Sequence, residues 1–124
     1  MKLRTQKIEE WITITMGTDT ARVLIQPLTP KDTARLLEEA TESEWERGQR
    51  FEKVNFYIFR VLKTDFVIRD WDVQDENGNA IPCTRPWKET VYQNNPTFIE
   101  KVLDKAEKLA EKVVAQEAEL SKNS

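Results

Sequence analysis

The chain has no histidine, one cysteine, and three glycines spaced far apart in its 124 residues. The missing imidazole removes the commonest general base and the commonest metal ligand. With Cys83 alone, neither a thiolate and imidazole zinc set nor an intramolecular disulfide can form, and a reducing cytoplasm is the natural setting. Cys83 also has no histidine to activate it as a nucleophile, so a half-buried small residue is its plainer role. Gly17, Gly48 and Gly78 cannot build a glycine-rich phosphate loop. Charge of one sign is lacking too: 22 acidic against 19 basic residues leave a net charge of −3, unlike the basic patch of a nucleic-acid binder. Apolar runs are short. None approaches the roughly 20 residues of a membrane span, and no leader pattern opens the chain. What remains is a cytosolic domain of ordinary composition, large enough to fold without staples.

The densest apolar stretch is Phe51–Val73, which holds Phe51, Phe56, Phe59 and Phe66, four of the five phenylalanines. Val54, Tyr57, Ile58, Val61 and Leu62 recur at helical spacing, with Phe56, Phe59 and Phe66 round the other side. This predicts a buried central helix over about 50–69. Before it, Ile8–Met16 alternates like a strand, 17–20 reads as a four-residue turn, and Ala21–Gln26 as a second strand. Thr29, Pro30 and Asp32 form a helix start, predicting a helix to about Arg47 with Gly48 as its stop. Asn77-Gly78 marks a turn. A short helix near 87–93 starts at Pro86, and Asn94-Asn95-Pro96 breaks it. A long amphipathic helix over about 97–118 follows, its stripe made by Phe98, Ile99, Val102, Leu103, Ala106, Leu109, Ala110, Val113 and Val114. The expected architecture is α+β: an N-terminal β-hairpin, then about four helices, in a single domain 1–124 with frayed ends at 1–7 and 119–124.

No catalytic, cofactor-binding or metal-binding set emerges. Asp70, Asp72, Asp75 and Glu76 fit no register of a calcium loop, which wants glycine sixth and glutamate twelfth. As a carboxylate pair for glycoside cleavage they have no sugar cleft around them, and a solvated acidic turn is the plainer reading. Trp11, Trp45, Trp71 and Trp87 serve either as core or as interface anchors. The stripe of the last helix either docks on the domain or joins another chain.

The order of elements, with Pro27-Leu28-Thr29 leading into an acidic helix, then Asp70-Trp71-Asp72-Val73, Asp75–Thr84, Asn94–Phe98 and a terminal Ser121–Ser124, resembles the tail assembly chaperones of long-tailed bacteriophages and prophages. The resemblance implies a non-enzymatic, cofactor-free protein. Such a protein binds and solubilises the tape measure protein, assists tail tube protein to polymerise around it, works in the host cytoplasm, and is absent from the virion. Many members of that family are also made in a longer form by a programmed ribosomal frameshift. Ser121-Lys122-Asn123 can be encoded with a slippery run, so this chain would be the short form. The partner-binding residues expected on this reading are Trp71, Trp87, Ile99, Val102, Leu103, Ala106, Leu109 and Val113, with self-association through the hairpin edge as a further expectation. The competing expectation is a small regulatory module that masks one globular partner, and no role with nucleic acid or membrane is expected.

Overall fold

The computed structural model describes residues 1–122, with side chains as far as Glu119. Strands β1 (Glu10–Met16) and β2 (Asp19–Ile25) form the N-terminal hairpin. Met16 pairs with Asp19, so the turn is the two residues Gly17-Thr18 rather than the four expected. Gly17 takes φ +63°, as the first position of a type II′ turn demands, and this turn matches the strand twist better than a longer loop. A third strand, β5 (Ile68–Trp71), pairs antiparallel with β2 across a bulge at Leu24/Ile25, giving the sheet order β1-β2-β5.

Helix α1 (Pro30–Glu39) opens with a complete capping box. The Asp32 amide donates to Thr29 Oγ1 at 3.2 Å and the Thr29 amide donates back to Asp32 at 3.3 Å. It stops eight residues before the expected end at Arg47 (47 − 39). Residues 41–54, expected as the end of one helix and the start of the next, instead form a second hairpin: β3 (Thr41–Glu46) and β4 (Gln49–Val54). Alternation of side chains between two faces overrode the helix propensity of glutamate there. The central helix α2 (Phe56–Val67) is correspondingly shorter than the expected 50–69, and only Thr64 and Val67 on it are fully buried. Helices α3 (Arg85–Asn94) and α4 (Pro96–Lys122) follow, separated by Asn95 alone. Helix α4 continues through Lys122, where fraying was expected from 119, and Asn123 and Ser124 lie outside the described residues. Residues 1–9 hold no helix or strand.

The expected α+β architecture holds. One face of the sheet, made by Ile14, Val23, Ile25, Ile68 and Trp71, packs with Val67 against the inner stripe of α4. Lys88 of α3 is buried among them, its ammonium donating to the carbonyls of Ile68 (2.8 Å) and Asp65 (3.1 Å) and to the Asp65 carboxylate (3.2 Å). It thereby satisfies acceptors left over at the end of α2. Among the described residues, no helix is long and apolar enough to cross a membrane.

Candidate interaction surface

The residues expected to hold a partner are mostly inside. Ile99, Val102, Leu103, Ala106 and Leu109 are buried in one core with the sheet and the end of α2, and Val113 is buried as well. The stripe that could have joined another chain is therefore the domain's own core. Its apolar area gains the same transfer free energy intramolecularly, without the cost of association. Only past Val113 does α4 leave the body, with Val114 to Glu119 exposed. Trp71 is also no surface residue: it is 7% exposed, lies opposite Val23 in the sheet, and donates its indole N–H to the Ile81 carbonyl at 2.8 Å. Trp87, in the first turn of α3, is 45% exposed and keeps its place as a surface aromatic.

The most exposed aromatic groups sit instead on the β3–β4 ribbon and the helix turn that follows it. Every residue from Glu42 to Lys53 is exposed. Trp45 is 74% exposed, Phe51 48% and Phe56 69%, and Tyr57 follows directly. Cross-strand pairing places Trp45 opposite Arg50 and Ser43 opposite Glu52 on one face. Phe51 opposite Glu44, and Lys53 opposite Glu42, lie on the other. The ribbon thus shows one large aromatic to each side, framed by charges. Arg50 is tied down by donating to Ser43 Oγ at 2.8 and 3.2 Å, which leaves the Trp45 ring uncovered. The turn is Arg47-Gly48, both at positive φ (52° and 74°), the backbone of a type I′ turn.

The ribbon is anchored at its base alone. The Asn55 amide donates to the Ala40 carbonyl at 2.9 Å, and Thr41 Oγ1 to the Leu37 carbonyl at 2.8 Å. Asn55 also caps α2, its side-chain oxygen accepting from the Ile58 amide at 3.1 Å. The α2–α3 side is held by Tyr57, whose hydroxyl donates to Glu89 at 2.8 Å and accepts from Gln93 at 2.6 Å, and whose ring lies 6.2 Å from that of Tyr92. The Glu89 acceptor holds the phenol proton, raising the Tyr57 pKa. Arg60 pairs with Glu100 beside it.

The acidic segment after β5 is occupied with the backbone. Asp70 accepts from the Trp71 amide, Asp72 from the Arg22 amide, and Asp75 from the amides of Asn77 and Asn79. Those bonds lower the Asp75 pKa. Among the described residues no group of three or more Cys, Asp or Glu side chains could hold a metal ion. The Cys83 thiol is pushed up by burial, away from the thiolate that nucleophilic chemistry needs. An open groove of about 510 Å³ has Ile14, Val91 and Phe98 at its floor and Asp19, Asp72 and Asp75 at its rim. Two of those carboxylates are the ones already bonded to backbone amides.

Trp45 was visible in the sequence as a possible anchor, but Phe51, Phe56 and Tyr57 were assigned to a buried helix. The signal that could have found them is the two-residue Arg-Gly step between two runs of alternating side chains. No protein-family model, curated protein or solved structure matches this chain.

Proposed function

We propose that this protein is a non-enzymatic assembly chaperone for phage tails. In this reading it keeps the tape measure protein soluble in the host cytoplasm and assists tail tube polymerisation. The observation that carries a binding role is the β3–β4 ribbon, which holds Trp45 and Phe51 in solvent and lends nothing to its own core. A free two-stranded ribbon is marginal in water, and an aromatic on each face gives it a use once a partner covers it. Covering the exposed three-quarters of Trp45 is worth roughly 3–4 kcal/mol, the scale of an interface hot spot. The choice of client rests on the sequence resemblance and on the absence of a competing chemical site among the described residues.

A second reading, a module that masks a single globular partner, is favoured by one observation. The long stripe of α4 is consumed internally, so that helix offers no extended apolar face to a long helical client.

The test is co-expression with a tape measure protein from the same gene neighbourhood. The native chain should carry the client into the soluble fraction, in many copies per client by light scattering. Trp45→Ala/Phe51→Ala should fail to do so while keeping its circular dichroism and melting temperature. Equal solubilisation by the double variant would remove the ribbon from the mechanism. A one-to-one complex with a folded protein would select the second reading.

A further inference from the structure

Strand β1 is an edge of the sheet, and among the described residues no strand pairs on its outer side. Which backbone groups point outward follows from the neighbours. Arg22 turns its backbone toward β5, its carbonyl accepting from the Asp72 amide at 3.1 Å and its amide donating to the Asp72 carboxylate at 2.8 Å. Backbone direction alternates along an antiparallel strand, so Ala21, Val23 and Ile25 bond to Ile14, Ile12 and Glu10. The N–H and C=O groups of Trp11, Thr13 and Thr15 therefore face the open edge. The Thr15 carbonyl agrees with this parity, for it accepts from Lys101 Nζ of α4 at 3.1 Å.

This edge differs from the others in the molecule. Strand β5 has only four residues. Strands β3 and β4 carry charges at close intervals, a usual defence against edge pairing. Strand β1 has seven residues and no charge between Glu10 and Met16.

We propose that the β1 edge is a homodimer interface, in which β1 pairs antiparallel with β1 of a second copy about a two-fold axis at Thr13. The sequence Glu-Trp-Ile-Thr-Ile-Thr-Met is self-complementary in that register. Thr13 meets its own copy, Trp11 meets Thr15, and Ile12 meets Ile14, so the apolar face of each sheet continues into the other. The outward groups of Trp11, Thr13 and Thr15 are those that the register requires, giving up to about six new backbone hydrogen bonds. Charge complementarity argues for a second copy as the occupant. The register sets Glu10 opposite Met16 of the other copy, next to Thr15, where Lys101 holds its ammonium. Glu10 shares the sheet face on which α4 packs, and neither Glu10 nor Lys101 has an ion-pair partner among the described residues. Dimerisation would form that ion pair twice. The result is a continuous six-stranded sheet with both α4 helices on one face, and it leaves both β3–β4 ribbons free.

Sedimentation equilibrium on the full chain tests this. The native protein should dimerise reversibly. Thr13→Pro removes an outward amide without touching the β1–β2 ladder, so it should leave a folded monomer with at least a ~100-fold weaker association. Glu10→Lys and Lys101→Glu should each weaken the dimer about 10-fold, and the double exchange should restore it to within about 3-fold. In a Cys83→Ala background, Thr13→Cys should form a symmetric disulfide on mild oxidation, since paired strand residues lie within bridging range. A chain that stays monomeric at all concentrations would overturn the proposal. So would a dimer indifferent to Thr13→Pro in a protein whose circular dichroism is unchanged, or charge reversals that do not rescue one another.

Discussion

Excising the β3–β4 ribbon separates folding from binding more sharply than any point substitution. Glu42 and Lys53 are direct cross-strand partners of the same hydrogen-bonded parity as Glu46 and Gln49 at the turn, so residues 43–52 can be replaced by Asn-Gly, which closes a two-residue hairpin between them. Every residue removed is exposed, so the loss of buried apolar area is close to nil. The excision keeps the 3.4 Å hydrogen bond from Asn55 to Glu42, the 2.9 Å bond from Asn55 to Ala40 and the cap on Ile58. Shortening the connection lowers its closure cost by about 1 kcal/mol. The excised protein should therefore keep its stability to within about 1 kcal/mol, a melting shift of no more than about 4 °C for a chain of this size. Thermal and urea unfolding followed by far-ultraviolet circular dichroism measure this directly, with the m-value reporting any change in compactness. The same protein should no longer keep its client soluble. A loss above about 3 kcal/mol, or a transition that is no longer cooperative, would show that the ribbon belongs to the core and would refute the reasoning.

Other outcomes follow from the packing. Leu103→Ala, in the buried stripe of α4, should cost about 3 kcal/mol and lower the melting temperature by about 10 °C, because it opens a cavity; a surface role for the stripe would give almost no change. Lys88→Met should cost about 2–4 kcal/mol in urea unfolding, since it strands the carbonyls of Asp65 and Ile68 without a donor. Arg47→Asn should slow amide exchange across the ribbon by a few-fold, because asparagine tolerates the left-handed backbone that arginine occupies at φ 52°.

The features legible in the sequence are those whose cause is local. The Thr29–Asp32 capping box lies within four residues and needs no other part of the chain to form. Strict alternation in Ile12, Ile14 and Met16 specified β1, and the spacing from Ile99 to Val113 specified an amphipathic helix. Two kinds of feature escaped. In Thr41–Val54 two local signals conflict, for glutamate favours a helix while Thr, Trp, Phe and Val in alternation favour strands. The pairing of Thr41 with Val54, and the bond from Asn55 back to Ala40, resolved that conflict across a turn that a single helix would not contain. Periodicity also says that a helix has an apolar face but not what that face meets. Ile99 and Val102 present the same stripe whether a partner or the parent sheet receives it. The sequence by itself determined the Thr29 cap, the two strands of the first hairpin, the amphipathic α4 and the absence of histidine. The tertiary structure alone decided that β5 closes the sheet beside β2, that α4 and Trp71 turn inward, and that Trp45 and Phe51 are left outside. The physical reason is that burial is a relation between segments distant in the chain, and only the folded arrangement says which apolar surface has found its match.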